Sequence, residues 1–312
     1  MKISATTRAF RCTIPTLALA LAASGCSARS QIPVERSAAV TRGHLLIVGG
    51  GPIPRDVTET FVRLARRNGP PRIGVMPMAS AVASTGPEKV EELNRLGAEA
   101  FVLDVRRPVA DADSVVRIVD GTDAIWFSGG VQDRIMTAIG SSKTADAIRR
   151  AYERGAVIAG TSAGAAVMSG LMITGDERRP GGTRGDTSQV YITIDRDNVI
   201  TSPGLGLLST AIVDQHFVRR KRNNRLVSLA LEHPTLIAVG IDESTAILVK
   251  PDGMWEVLGE SVAVIFDARK SRVTPQSERL GASGVAMHVL TPGSLFDPVA
   301  GRVLRLGSRS TR

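Results

Sequence analysis

The chain has 312 residues, 43% of them hydrophobic and 4% aromatic, with a formal net charge of +9. This composition excludes an intrinsically disordered chain and allows a globular core large enough for one sizeable domain. The chain has two cysteines, Cys12 and Cys26. Their positions exclude a disulfide-rich scaffold and, for everything after residue 26, a thiolate metal site or a cysteine nucleophile.

The first residues have the pattern of an export signal. Positive residues precede an apolar run from Cys12 to Ala23, and the sequence "LAASGC" follows with small residues before Cys26. This resembles the bacterial lipoprotein signal, which predicts lipidation of Cys26 and an exported protein anchored to a membrane. An ordinary secretory signal, giving a secreted protein, is the alternative. The predicted organisation is a signal peptide over 1–25, a tether over 26–42 and one domain over 43–312.

In the first half of that domain, apolar strands alternate with helices. The predicted strands are "HLLIVGGG", "RIGVMPMAS", "AEAFVLDV", "AIWFSGG" and "AVIAGTSAG". The predicted helices cover 56–68, 87–97, 111–119 and 143–154. Because the strands are apolar throughout and helices separate them, we expect a mostly parallel sheet that is covered on both faces.

The second half has a different character. Residues 175–189, "GDERRPGGTRGDTSQ", are polar and glycine-rich, which predicts a long loop. A helix with a basic start is predicted over 217–232. Shorter strands follow in "TLIAVGID", "TAILVK", "MWEVLG", "VAVIFD" and "VAMHVL".

Ser162 is the candidate nucleophile. It lies in "GTSAG", which matches the pattern Gly-x-Ser-x-Gly, between a predicted strand and a helical stretch. In such a turn the serine hydroxyl is exposed, and backbone N–H groups beside it can stabilise an oxyanion. A turn of small residues that only packs a helix against a sheet is the alternative.

A serine nucleophile needs a base, and the chain has four histidines. His216, in "IVDQHFVRRKRNNRL", leaves an apolar run among polar residues and is the best candidate. Asp242 and Glu243, in "VGIDESTAILV", are both candidates for the carboxylate that orients it. An α/β-hydrolase would have the order Ser, acid, His and would require His288 as the base.

Together these motifs resemble the serine peptidase family that contains cyanophycinase and α-aspartyl dipeptidase. The resemblance spans roughly residues 43 to 295 and rests on "FSGGVQDRI", "GTSAGAAVMSG", "GLGLL", "DQHFVRRKRNNRL" and "GIDESTA". The sequence "DQHF" followed by arginines points to the cyanophycinase branch. The resemblance implies a three-layer αβα sandwich like that of class I glutamine amidotransferases, assembled as a homodimer.

The resemblance also implies roles for individual residues. The implied triad is Ser162, His216 and Glu243. The implied substrate contacts are Gln132, Asp214, Gln215, Arg220, Arg222 and Arg225. Gly130 and Ala163 would supply the N–H groups of an oxyanion hole.

The implied activity is cleavage of cyanophycin, a poly-aspartate backbone with arginine on each β-carboxyl group, to β-Asp-Arg dipeptides. Arginines of the protein suit the carboxylates of such a substrate. Peptidases for other isoaspartyl or α-aspartyl peptides, and a non-catalytic peptide-binding lipoprotein, are the alternatives. The arginines of the segment Arg219–Arg225 have an alternative interpretation, as a solvated basic helix face or as a patch for anionic lipid or nucleic acid. We expect no nucleic-acid partner. No residue spacing suggests a metal or an organic cofactor.

Overall fold

Five strands from the first half of the domain form the parallel part of a nine-stranded sheet. The computed structural model describes residues 43–178, 193–275 and 277–308. The five strands are β1 (Leu45–Val48), β2 (Arg72–Met76), β3 (Glu99–Val102), β4 (Ala124–Phe127) and β5 (Val157–Thr161). They lie in the order β1-β5-β4-β2-β3, with all neighbours parallel. Their carboxyl ends therefore lie along one edge of the sheet.

Helices cover both faces of this parallel part. They are α1 (Arg55–Ala65), α2 (Thr85–Arg95), α3 (Asp113–Asp120), α4 (Gln132–Ile139), α5 (Lys143–Glu153) and α6 (Ala163–Ala166). Phe61 of α1 and Leu93 of α2 pack on one face, in a cluster with Trp126. Ile135 of α4 and Ile148 of α5 pack on the other face with Phe127. The predicted three-layer αβα fold is confirmed. Helix α4 and a short 3-10 helix at Arg107–Val109 were not predicted.

Strands from the second half extend the same sheet in antiparallel fashion. They are β10 (Thr245–Val249), β11 (Trp255–Gly259), β16 (Leu295–Asp297) and β17 (Arg302–Arg305). Strand β10 pairs with β1, and the other three follow outward in the order β11-β16-β17. The central sheet is therefore mixed, because only its first-half strands are parallel.

A second sheet of four strands packs against the central one. It contains β8 (Ala211–Gln215), β9 (Ile237–Ile241), β12 (Ala263–Asp267) and β15 (Ala286–Leu290), in the order β15-β12-β9-β8. One face joins the core of the central sheet, and α7 (Asn223–Glu232) covers the other face. Two short pairs complete the described strands: β6 (Leu171–Glu177) with β7 (Val199–Pro203), and β13 (Arg272–Val273) with β14 (Ala282–Ser283).

Two predicted boundaries differ from the structure. The helix predicted over 217–232 begins at Asn223, because residues 217–221 form a turn. The loop predicted over 175–189 overlaps the end of β6, and its residues 179–189 lie outside the described residues. The predicted signal peptide, the tether and Cys26 also lie outside them. Within the described ranges, no helix has the length and hydropathy that a membrane span requires.

Candidate active site

Ser162 stands on a strained turn at the carboxyl end of β5. Its backbone has a φ of 52° and a ψ of −109°, a conformation that a residue with a side chain seldom adopts. Its N–H donates to the carbonyl of Val48, 3.0 Å away, which ties the turn to β1. A Cβ on Gly160 would overlap the carbonyl of Gly164, and one on Gly164 would overlap that of Phe127. Small residues are therefore required here by close backbone packing as well as by the turn itself.

His216 follows β8 directly and reaches the serine. Its backbone also has a positive φ, 50°, and its N–H donates to the carbonyl of Gly49 at 2.7 Å. His216 is 7% exposed, and its Nε2 lies 2.8 Å from the Ser162 hydroxyl. The turn after β8 thus brings a nearly buried imidazole into hydrogen-bond contact with the turn after β5.

Glu243 lies in the turn after β9 and contacts His216 on the side away from Ser162. Its Oε1 lies 2.7 Å from Nδ1 of His216. The neighbouring Ser244 donates its N–H to the carbonyl of Gly50, 2.9 Å away, and so fixes this turn against the end of β1. Four strand ends, those of β1, β5, β8 and β9, therefore meet at one place, as is usual for sites in parallel α/β sheets.

Asp242, the other carboxylate considered from the sequence, has a different position. Its Oδ1 accepts from the N–H groups of Val218 and Arg219, at 3.1 and 2.9 Å. Its Oδ2 accepts from the hydroxyl of Ser261 at 2.8 Å. Asp242 thus stabilises the turn that follows His216. Two adjacent acids after an apolar strand carry no local signal that distinguishes this structural role of Asp242 from the position of Glu243 beside His216.

Burial controls the charge of His216. The largest influence on its pKa is desolvation, which lowers it, and the nearby positive charges of Arg220 and Arg222 lower it further. The hydrogen bond to Glu243 and its negative charge act in the opposite direction. The pKa lies below its ordinary value, so the imidazole is neutral at neutral pH. A neutral imidazole in this position can accept the proton of a serine hydroxyl.

Ala163 and Gly130 carry the two backbone N–H groups that were expected to form the oxyanion hole. Ala163 follows Ser162 directly, and Gly130 follows Gly129, at which a Cβ would lie 3.5 Å from the Cβ of Ser162. Neither the Gly130 nor the Ala163 N–H donates to a backbone carbonyl of the described residues. Both are therefore available to donate hydrogen bonds to a negatively charged oxygen of a group bound to Ser162.

Asp214 and Arg225, expected to contact a substrate, are buried inside the protein. Both side chains are 0% exposed. Arg225 donates from Nε to Oδ2 of Asp214 at 2.7 Å and from Nη2 to Oδ1. A buried carboxylate and a buried guanidinium compensate each other in this way, because neither is tolerated alone. The prediction that these two side chains touch the substrate is corrected here: they support the strand that carries His216.

Arg222 and Gln132 also differ from the prediction. Arg222 is 7% exposed and donates from Nη1 to the carbonyl of Gln215 at 2.6 Å. Gln132 is 5% exposed, and its Nε2 donates to the carbonyls of Ile173 and Thr174 at 2.8 and 2.7 Å. These groups hold the backbone around the site instead of facing the solvent. Sequence reasoning could not detect this, because their partners are distant backbone carbonyls.

Gln215 and Arg220 remain available for contacts. Gln215 is 6% exposed, and its Oε1 is buried without a hydrogen-bond partner among the described residues. Arg220 is exposed and close enough to His216 to influence its pKa. In the part of the chain that the structure describes, no group of three or more His, Cys, Asp or Glu side chains could hold a metal ion.

Comparison with known proteins assigns the chain to a family. Residues 45–257 match the model of peptidase family S51. The chain belongs to peptidase family S51. It is 31% identical to the cyanophycinases of Nostoc sp. and Trichormus variabilis, over 84% of this chain and 87% of each relative. It is also 31% identical to the cyanophycinase of Geminocystis herdmanii, over 80% of this chain and 89% of the relative. This S51 peptidase is therefore a serine-type hydrolase similar to cyanophycinases.

A solved structure has the same fold. The crystal structure of a peptidase from an acI-B1 Actinobacterium superposes with a TM-score of 0.61 and 22% identity. The match covers 83% of this chain and 98% of that one. At this level of identity the likeness extends to the fold alone, so the chemistry of the site rests on its own geometry.

Proposed function

We propose that this S51 peptidase cleaves its substrate through Ser162 as nucleophile, His216 as base and Glu243 as the carboxylate that orients the base. The observation that carries the proposal is the continuous pair of contacts, 2.8 Å from Ser162 to His216 and 2.7 Å from His216 to Glu243. A hydroxyl, an imidazole and a carboxylate in this order form the arrangement that activates serine in unrelated peptidases.

The reaction follows from these positions. The Ser162 oxygen attacks the substrate carbonyl carbon as its proton passes to Nε2 of His216, and Glu243 stabilises the imidazolium. The oxyanion accepts hydrogen bonds from the N–H groups of Gly130 and Ala163. The C–N bond then breaks, His216 gives its proton to the leaving amine, and water hydrolyses the acyl enzyme by the same route in reverse.

We propose cyanophycin as the substrate and β-Asp-Arg dipeptides as the products. The cyanophycinase relatives support this proposal, as does the exposed basic segment Arg219–Lys221 directly after His216. Carboxylates of the substrate would pair with Arg220, and Gln215 Oε1 would accept a hydrogen bond from a substrate N–H. Other isoaspartyl or α-aspartyl peptides are the second candidate class, since the same triad would cleave them.

The test is to incubate the purified protein with cyanophycin and identify the soluble products by mass spectrometry. We expect β-Asp-Arg from the wild type and a loss of about 10⁶-fold in kcat for Ser162→Ala. His216→Ala should be similarly impaired, whereas His288→Ala, which changes a strand histidine of β15, should remain active. Preference for α-linked Asp dipeptides would overturn the substrate proposal, and an active Ser162→Ala would overturn the mechanism.

We further propose that the protein is exported, anchored through lipid on Cys26, and assembled as a homodimer. The lipoprotein-like sequence that ends at Cys26 supports the anchor. The homodimer follows from the family resemblance alone. Light scattering of the purified protein would test it, and a mass of one chain at micromolar concentration would overturn it.

A further inference from the structure

A pocket of about 200 Å³ opens beside the nucleophile, on the side of the sheet that α2 covers. Thr161 and Gly129 line it, and both adjoin Ser162. Thr161 precedes the serine, and a Cβ at Gly129 would lie 3.5 Å from the Cβ of Ser162. A side chain bound in this pocket would therefore belong to a residue next to the bond that Ser162 attacks.

Three charged residues of α2 line the same pocket. Lys89 is 8% exposed; its Nζ lies 2.9 Å from Oε2 of Glu92 and 3.9 Å from the ring centroid of Trp126. The ammonium of Lys89 and the carboxylate of Glu92 thus neutralise each other. Glu88 is exposed and forms no ion pair within the described residues. The lining therefore carries one uncompensated negative charge, at Glu88.

Ser128 supplies a second and independent feature. This residue is 2% exposed and lines the pocket, and its Oγ has no hydrogen-bond partner among the described residues. A buried hydroxyl without a partner is unfavourable, so native proteins usually satisfy such groups. A ligand with N–H donors would satisfy the Ser128 oxygen, and a planar group with several donors could reach Glu88 as well.

We propose that this pocket, named here the Glu88 pocket, binds the guanidinium group of an arginine in the substrate. Glu88 accepts a charge-assisted hydrogen bond from the guanidinium, and Ser128 Oγ accepts another. Lys89 holds Glu92, which leaves a single carboxylate for a single positive charge. The inference rests on the proposed function, because it identifies the side chain that the Ser162 site selects.

The pocket also gives the site two oppositely charged flanks. The segment Arg219–Lys221 follows His216, whereas the Glu88 pocket adjoins Thr161 and Gly129. A substrate that carries carboxylates and guanidinium groups together would match both flanks at once. A polyanion alone would match only the basic flank, so the Glu88 pocket separates an arginine-bearing polymer from poly-aspartate.

Calorimetry on the full-length Ser162→Ala protein tests the pocket without turnover. The probes are β-aspartyl-arginine and β-aspartyl-citrulline, which differ in the charge of the terminal group and little in its shape. We expect the arginine probe to bind at least about tenfold more tightly, since a hydrogen bond to a charged group is lost with citrulline. Adding Glu88→Gln should abolish this preference, and adding Ser128→Ala should weaken binding of the arginine probe. Glu91→Gln, an exposed change on the same helix that does not line the pocket, is the matched control and should retain the preference.

Several outcomes would overturn the inference. The two probes could bind equally, neither could bind, or the preference for the arginine probe could survive Glu88→Gln. A fourth such outcome is tighter binding of β-aspartyl-glutamate, which would indicate that Lys89 binds an anion. Hydrolysis of cyanophycin by the wild type is measured separately. Hydrolysis with equal probe binding removes the inference and leaves the proposed function standing. Arginine preference without hydrolysis supports the pocket and removes the proposed activity.

Discussion

Gly50 lies against the imidazole ring of His216. A Cβ built at position 50 would overlap Cε1 of the ring and would stand 2.5 Å from Nε2 and 2.9 Å from Nδ1, and the φ of Gly50 is +108°. We therefore predict that Gly50→Ala lowers kcat by about 100-fold, because a displacement of the base by about 1 Å has an effect of that size. Steady-state kinetics would measure the loss, and circular dichroism should show an unchanged fold.

Gly253→Ala separates ring displacement from backbone strain. Gly253 also has a positive φ, +83°, but a Cβ there would meet nothing within 4 Å. We expect this control to keep kcat while sharing the conformational strain. If both variants lost activity equally, or if Gly50→Ala stayed fully active, the close contact between Gly50 and His216 would not be what sets the position of the base.

The acid limb of the pH profile should report His216. Burial lowers the pKa of the imidazole below its ordinary value, and only the neutral ring can act as base. Activity should therefore rise with pH and reach half its maximum below about pH 6.5. Arg220→Gln removes a positive charge that opposes protonation, so the pKa of His216 should rise and the acid limb should move to higher pH.

The measurement is kcat against pH at saturating substrate, so that a weaker substrate contact at Arg220 does not distort the profile. Arg219→Gln is the matched control, because Arg219 is an exposed neighbour that does not contribute to lowering the pKa of His216. An unchanged acid limb in Arg220→Gln, or an equal shift in Arg219→Gln, would contradict this electrostatic account.

The elements that the sequence analysis predicted well are those with a strong local signal. The apolar run that ends at Thr161 and most of the helices between the strands follow from local sequence patterns, and so does a parallel sheet covered on both faces. Helix α4 is the exception, since it was not predicted. Ser162 was identifiable because a strained turn before a helix requires small residues on both sides. His216 could be selected because the other histidines lie in less suitable surroundings.

The remaining features depend on contacts between distant segments. Nothing local to "VDQHFVRRKRNNRL" shows that Asp214 faces Arg225 inside the fold whereas Arg220 faces solvent. The helix begins six residues later than predicted, since Asp242 binds the N–H groups of Val218 and Arg219 and stabilises a turn there. The assignment of substrate-binding arginines by resemblance therefore needed the burial of each side chain, which spacing does not give.

Cys26→Ser should release the protein from membranes. The sequence "LAASGC" places the cysteine at the expected lipidation position, and a lipid chain supplies the apolar surface that holds a protein at a bilayer. We expect the wild type to partition into detergent and to incorporate labelled fatty acid, and the variant to do neither. Cys12→Ser is the control within the predicted signal peptide and should keep the lipid. A wild type without lipid would indicate simple secretion.

Arg225→Leu should destabilise the fold without acting on substrate binding. The change removes the closer of the two guanidinium groups that face the buried carboxylate of Asp214, since only Arg222 Nη1, 3.6 Å from Oδ1, would remain. Breaking a buried pair typically costs about 3–5 kcal/mol. Urea unfolding measures this loss. Arg220→Gln, at an exposed position, should stay within about 0.5 kcal/mol of the wild type while raising KM. Arg225 would then contribute to the stability of the fold, and Arg220 to the affinity for substrate.

A double variant decides whether the Asp214–Arg225 pair acts as a unit. Asp214→Leu alone removes the carboxylate from both buried guanidinium groups, those of Arg225 and of Arg222, whose Nη1 lies 3.6 Å from Asp214 Oδ1. Asp214→Leu with Arg225→Leu leaves only the buried charge of Arg222, so the double variant should be more stable than Asp214→Leu. Its kcat also reports on the support that the pair gives to β8, because His216 follows that strand directly. If the loss in unfolding free energy of the double variant equalled the sum of the losses of the two single variants, the pairing would be contradicted. A stable Arg225→Leu protein with a raised KM would restore Arg225 as a substrate contact.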